Sequence, residues 1–377
     1  TAVSKAIAKH NPGLFPGAFC KILPDYLAGD PECCVILHAD GVGTKIIIAY
    51  LFYKRKLANA SVFRKPIRDS LVMNFDDMAC VGATGPFLVS TTIGRNKFFV
   101  SDEVIAAIIG GCEEYCDFLT KLGLPCYVGG GETADLPDLE KTITVDNTII
   151  CRMKRSEVID ASRIVPGDVI VGFSSTGQTS YEDEENSGIG SNGFTNARHD
   201  LLNNIQLEYP EVSCPQMPAH LTYRGKFELT DALPGAPNFT IGSALLSPTR
   251  TYLPLIQYLL PGIPHAELHG LIHCSGGGQT KIKKFGPESV RYVKDDLFPT
   301  APIFKTLQRA SGMTWREMHE VYNMGHRLEA VLPEKYAGFC IQTAKGFGIK
   351  AKVVGHVEKK GKYPRLTIRN SKGVFNY

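Results

Sequence analysis

One stretch limits what this chain can fold into more than any other. Cys33-Cys34-Val35-Ile36-Leu37-His38-Ala39 runs straight into Asp40-Gly41-Val42-Gly43-Thr44-Lys45. The first part is short and apolar, which predicts a buried strand over 33–39. The second part lets the backbone approach a ligand at two glycines, then adds a hard carboxylate, a hydroxyl and an ammonium group. It is not a Walker A loop, which needs GxxxxGK followed by Ser or Thr. Nor is it a dinucleotide GxGxxG loop, because Ile46 stands at the third glycine position. Read alone, it fits either a phosphate site or an ordinary strand-to-helix turn.

The surrounding sequence alternates strand and helix signals. Residues 46–56 are open to a helix, and Asp69 to Val81 predicts one more clearly, with Leu71, Val72, Phe75, Met78 and Ala79 on one face. Phe87 to Ile93 reads as a strand and Ser101 to Leu122 as a long helix, with Ser101 at its N-cap and Gly123 at its stop. Strands follow at 125–128, 142–151 and 169–173. The second half again mixes strands, at 266–272 and 351–356, with helices at 299–310 and 333–345. The expected fold is α/β (α+β mixed) in two α/β domains, 1–165 and 166–377, divided near Val165.

Composition narrows the class of partner. Lys plus Arg is 41 and Asp plus Glu is 38 in 377 residues, a net charge of +3, which gives no footprint for nucleic acid or a membrane surface. No apolar run reaches the 18 residues of a membrane span. The 11 cysteines are odd in number, contain no CxxC pair and lie in apolar surroundings, so a reduced, cytoplasmic protein is expected. Cys112 and Cys116, one helical turn apart, read as packing residues.

Several segments carry candidate chemistry. Asp76-Asp77 interrupts an amphipathic helix, and the two carboxylates point about 100° apart. They are either a solvated face or interior groups that need a cation or several donors. Gly129-Gly130-Gly131-Glu132-Thr133-Ala134-Asp135 and His273-Cys274-Ser275-Gly276-Gly277-Gly278 each put a triple glycine after a strand. Such a run costs backbone entropy and packs nothing, so a close ligand or a tight turn is expected. His265, His269 and His273 recur every four residues, a weak zinc pattern. Thr179 to Gly190, with Glu182-Asp183-Glu184-Glu185, reads as a solvated, mobile loop or a lid over a nucleotide.

Taken together these segments resemble the aminoimidazole ribonucleotide synthetase (phosphoribosylformylglycinamidine cyclo-ligase) family. The resemblance rests on Asp40–Lys45, the Asp69–Asp77 helix and 129–137. It continues with Ser191-Asn192-Gly193-Phe194, Leu246-Ser247-Pro248-Thr249-Arg250, 273–278 and Tyr322-Asn323-Met324-Gly325, in that order over nearly the whole chain. It implies an N-terminal domain whose strands join a second copy's in a dimer-interface barrel. It also implies ATP and Mg2+ as cofactors, and formylglycinamidine ribonucleotide as the substrate cyclised to aminoimidazole ribonucleotide after phosphorylation of its amide oxygen.

By the same resemblance Asp40, Asp77 and Glu132 are expected as metal ligands. Gly41, Gly43, Thr44, Lys45, Gly130, Gly131 and Thr133 would meet ATP and its phosphates. Asn192, Gly193 and Arg250 would bind substrate, and Lys45, Asp77 and His273 would be catalytic. Asp76 stands where the family commonly has Asn. The motif histidine before Ser191-Asn192-Gly193 is absent, replaced by Gln178 and the acidic insertion, and His326-Arg327-Leu328-Glu329 replaces small or aliphatic residues. The alternatives are a sister ATP enzyme of the thiamine-monophosphate kinase or selenophosphate synthetase type, or a non-catalytic scaffold.

Overall fold

The structure is a computed structural model that describes residues 11–377. Strands β1 (Ile22–Pro24), β2 (Cys33–Gly41), β3 (Phe87–Arg95), β4 (Cys126–Asp135) and β5 (Ile143–Lys154) form one sheet in the order β1-β2-β5-β3-β4. Within this sheet β3 and β4 run parallel, and the helix over residues 102–121 connects them. A parallel pair needs such a crossover, whereas antiparallel neighbours need only a turn.

Helix α1 (Ile46–Lys54) packs against α2 (Arg64–Ala79), and α2 and α3 (Asp102–Lys121) cover the inner face. In α3 the residues Val104, Ile108, Cys112, Tyr115, Cys116 and Leu119 repeat at helical spacing and are buried, so Cys112 and Cys116 are packing groups. Ser101 precedes α3 in an extended conformation, but its side chain makes no cap bond. Helix α2 is buried continuously from Asp69 to Ala79. The solvated-face reading of Asp76 and Asp77 therefore fails: a second body covers the side of α2 that the sheet leaves open.

That body is a seven-stranded sheet. Its strands are β6 (Asp168–Ser174), β9 (Gly270–His273), β10 (Val290–Lys294), β11 (His326–Pro333), β12 (Ala351–Lys359), β13 (Leu366–Asn370) and β14 (Gly373–Asn376). Their order is β14-β13-β10-β12-β6-β11-β9, and β7 (Ala232–Leu233) pairs with β8 (Ala236–Thr240) as a separate ribbon. The helix α4 (Phe194–Leu201) sits against the loop after β2, and its Thr195 hydroxyl lies 2.9 Å from that of Thr44. One apolar cluster crosses the seam, with Val42 and Phe75 from the first body and Leu245, Tyr252 and Leu255 from the second.

Two expectations change in detail. The strand expected at 266–272 is a short 3-10 turn at His265–Glu267 followed by β9. The first triple glycine does not form a loop after a strand, because β4 runs through it to Asp135. Gly131 is required there by contact: a Cβ at that position would strike the backbone carbonyl of Thr91 on β3.

Candidate active site at the domain seam

The end of β2 is held from α2. Ser70 Oγ and Asn74 Nδ2 donate to the carbonyl of Asp40 at 3.0 and 3.2 Å. Among the described residues the only hydrogen bond to the Asp40 carboxylate itself comes from the adjacent Gly41 N–H, at 2.7 Å. Burial, reinforced by the charge of Asp77, pushes its pKa up from the ordinary value. A Cβ on Gly41 would meet the carboxylate of Asp146 on β5, an exposed side chain that can turn aside. Asp146 is a candidate that the sequence did not single out; only its strand register, opposite Gly41, reveals it.

Asp77 bridges two imidazoles. Its Oδ1 takes His273 Nδ1 at 2.6 Å, and its Oδ2 lies 3.4 Å from His38 Nε2. His38 Nδ1 meets Asn74 Oδ1 at 2.8 Å. Burial alone would raise the Asp77 pKa, but the bonds from His273 and His38 outweigh it and hold the carboxyl far below its usual range. Burial likewise opposes protonation of His38, and the Asp77 carboxylate overcomes it, so the pKa of His38 is raised. His273 Nε2 is buried with no hydrogen-bond partner. Both Asp77 oxygens face imidazoles, so the carboxylate orients the rings of His273 and His38. His38, absent from the sequence-based candidates, is found only because β2 places it over α2.

Lys45 and Arg250 also depart from expectation. Lys45 Nζ is fully buried and bonds Asp69 at 2.8 Å, the carbonyl of Gly190 at 3.2 Å and the carbonyl of Ser247. Asp69 in turn accepts from the Thr249 N–H at 2.8 Å and from the Thr249 hydroxyl. The ammonium group thus ties the two bodies together and is not presented to a phosphate. Arg250 is spent in the same way. It pairs with Glu182 at 2.6 Å and donates to the carbonyls of Ser174, Thr176 and Gly177. Neither cation needs a ligand to be satisfied.

Glu132 lies elsewhere. Strand register aligns Gly41, Asp146, Thr92 and Glu132 in one row, three strand spacings or roughly 14 Å from end to end. Thr92, Asp146 and Glu132 are exposed on the outward face, whereas Asn147 and Thr91, one residue on, are buried on the inner face. Within one chain Asp40 and Glu132 therefore do not converge, and Gly130, Gly131 and Thr133 share the edge strand with Glu132. Asn192 precedes α4 beside the second triple glycine: a Cβ on Gly276 would lie 3.7 Å from its Oδ1. The Gly193 carbonyl accepts from the Tyr322 hydroxyl at 3.3 Å.

The atypical residues pair with one another. Asp76 accepts from Thr251 Oγ1 at 2.7 Å and from the Tyr252 N–H at 3.1 Å, and lies 3.6 Å from Arg327 Nη2. Glu329 is bonded by His326 at 2.8 Å and by Lys294 at 2.5 Å. Cys274, His326 and Glu329 stand close enough to hold an ion, but Lys294 already neutralises the carboxylate. The acidic insertion is docked, not free: Tyr181 Oη donates to the Thr251 carbonyl and Asn186 to that of Pro248, both at 2.7 Å. The histidine triplet is dispersed, with His269 on Asp168 at 2.8 Å and His265 beside Arg163, so no zinc set forms from it. Among the described residues no helix is long and apolar enough to cross a membrane.

Two α/β bodies that enclose an acidic, histidine-bearing seam beside a glycine loop define an AIR-synthase type of architecture. Residues 22–153 match the AIR synthase related protein N-terminal domain, and residues 165–365 match its C-terminal domain. The chain belongs to the AIR synthase related family. It is 30% identical to the phosphoribosylformylglycinamidine cyclo-ligase of Methanocaldococcus jannaschii over 325 residues, 86% of this chain and 78% of that protein. It is 28% identical to the Streptococcus sanguinis protein of the same name over 312 residues, 81% and 76% of the two chains.

Among solved structures it resembles T. maritima PurL complexed with FGAR, with a TM-score of 0.52 and 14% identity over 92% of this chain. It spans 45% of that longer chain. It also resembles the HypE-HypF complex structure, with a TM-score of 0.56, 12% identity and coverage of 100% and 99%. At such identities these likenesses describe the fold alone.

Proposed function

We propose that this chain cyclises formylglycinamidine ribonucleotide to aminoimidazole ribonucleotide with ATP, releasing ADP and phosphate. The cyclo-ligases to which the chain is similar support an ATP-dependent ligation as the class of reaction. The observation that carries the specific reading is the convergence of Asp40 with the His273–Asp77–His38 chain at the seam.

An amide oxygen leaves poorly and a phosphate leaves well. ATP therefore phosphorylates that oxygen, an amidine nitrogen attacks the same carbon, and phosphate departs as the ring closes. Such chemistry asks the protein for in-line positioning and charge neutralisation rather than for a nucleophile. Asp77 fixes the His273 ring through Nδ1, which leaves Nε2 as the acceptor for the proton released by the attacking nitrogen. Asn192, beside the Gly276 turn, would orient the substrate.

The donor set suits a hard cation. Asp40 is a carboxylate whose pKa is raised by burial and by a neighbouring negative charge, and among the described residues no cation is bonded to it. Mg2+ held by Asp40 would neutralise the ATP phosphates. Glu132 and Asp146 offer further oxygens on the outward face.

The same reading includes a second copy of the chain. Register sets Leu37, Ile150, Leu88 and Tyr127 in one row across four strands of the outward face. Leu37, Leu88 and Tyr127 are 56%, 51% and 53% exposed, an apolar stripe that a homodimer would cover. Glu132 would then serve the site from that interface.

The test is direct. Purified chain is incubated with ATP, Mg2+ and formylglycinamidine ribonucleotide, and aminoimidazole ribonucleotide is followed. Product formation dependent on all three is expected. ATP consumption without this product would move the chain to a sister reaction, and neither product nor ATP consumption would mark a scaffold.

A further inference from the structure

A cleft of about 380 Å³ opens on the other side of α2, bounded by α2, α3, residues 181–186 and the 248–251 loop. None of Asp40, Asp77 and His273 lines it. Its volume is within the range of small-molecule sites. One wall carries three cations from the first turns of α2: Arg64, Lys65 and Arg68. Beside them lie the aromatic rings of Tyr115 and Phe118 on α3, with the Arg68 guanidinium 5.9 Å from the Tyr115 ring centre.

The counter-charges are unequally held. Arg64 pairs with Glu114 on α3 at 2.8 Å. Among the described residues Lys65 and Arg68 are matched only by the tip of the acidic insertion, Glu184 at 2.5 Å and Asp183 at 3.9 Å. On either side of that tip the insertion is anchored by Glu182 to Arg250 and by Asn186 to Pro248. Asp183 and Glu184 themselves are 92% and 52% exposed. Exposed pairs of this kind are weak, whereas a phosphate bonded in fork geometry by a guanidinium is strongly held. The cations stand on a packed helix and the acids on a loop tip, so the acids are the groups that yield.

We propose that this cleft is a second ligand site, for a phosphate-bearing small molecule of mononucleotide size. Its phosphate displaces Asp183 and Glu184 from Lys65 and Arg68, and its flat, less polar part lies against Tyr115 and Phe118. The site stands apart from the proposed cyclisation, and its test measures binding rather than turnover.

The test is calorimetric titration of AMP into the full chain saturated with Mg2+ and a non-hydrolysable ATP analogue, so that the seam is already filled. AMP is expected to bind, and adenosine at the same concentration is expected not to. Lys65→Ala/Arg68→Ala should weaken AMP binding at least tenfold, and Asp183→Asn/Glu184→Gln should strengthen it several-fold. Both variants should keep the parent melting temperature within a few degrees. Absence of AMP binding in both the parent and Asp183→Asn/Glu184→Gln, or binding unchanged by Lys65→Ala/Arg68→Ala, would overturn the proposal.

Discussion

Arg327 Nη2 lies 3.6 Å from Asp76 Oδ2 and also donates to the carbonyl of Arg250, so β11 of one body grips α2 of the other through a fully buried side chain. Removing one partner of a buried pair leaves an unmatched charge and costs about 3–5 kcal/mol, whereas removing both costs less than the sum. Arg327→Met is therefore expected to lower stability by about 3 kcal/mol, and Asp76→Asn/Arg327→Met to recover at least about 1 kcal/mol of the summed single losses. Urea denaturation of the four proteins checks this. Additive losses would show that the two side chains are merely neighbours.

Asp40→Asn should reduce aminoimidazole ribonucleotide formation at least about 100-fold, since cation assistance is worth several kcal/mol. The melting temperature should stay within about 2 °C, because the Asp40 side chain accepts only from the next residue in the chain. Near-normal turnover in this variant would remove Asp40 from the site.

Glu182 gives a stability prediction opposite to the one its sequence context suggests. An acidic stretch flanked by Ser, Asn and Gly predicts a dispensable loop, yet Glu182 holds an Arg250 guanidinium whose side chain is 1% exposed. Glu182→Gln should cost about 2–3 kcal/mol, and deletion of residues 179–190 should cost more. Thermal melting decides it: an unchanged transition in the deletion variant would return the segment to the class of free loops.

The pH dependence has a definite sign. Burial, with Arg198 nearby, holds His199 neutral at a pKa of about 4, and burial with Lys294 does the same for His319. The unfolded chain protonates these groups first, near the ordinary value of 6.5. Their contribution is thus intact above pH 6.5 and is lost as pH falls from 6.5 to about 4, approaching about 1.4 kcal/mol per pH unit for each. His38, with a raised pKa, works in the opposite direction but is one group against two. Urea midpoints at pH 7 and 5 should fall accordingly. His199→Asn, which can still accept from the Tyr223 N–H now bonded to His199 Nδ1, should flatten the slope. A midpoint constant across that interval would contradict the assignment.

Leu37→Lys/Leu88→Lys places two charges on the apolar row of the first sheet without touching its core. Sedimentation should show a homodimer for the parent and a monomer for the variant, with circular dichroism unchanged. A monomeric parent would reject the second copy.

Much of this architecture is legible in the sequence because local signals agree with their setting. The run Cys33–Ala39 is a strand, and the 102–121 spacing is a helix with its apolar face inward. The seam is less legible. Helix α2 is buried on both sides, so its carboxylates resemble solvated charges until the partners of Asp69, Asp76 and Asp77 arrive from more than 170 residues away. Lys45 and Arg250 look like phosphate contacts because residue type reports charge but not whether a carboxylate already answers it. His38 and Asp146 escape notice because strand register, not spacing, brings them to the site.

Lys45 lies five residues beyond Asp40, and its buried ammonium group joins Asp69, Gly190 and Ser247. Heat that parts the two bodies must first pull this group out of the seam, and the Asp40 loop moves with it. Thermal inactivation and loss of tertiary structure should therefore trace a single curve, with no warm, inactive and still-folded form between them.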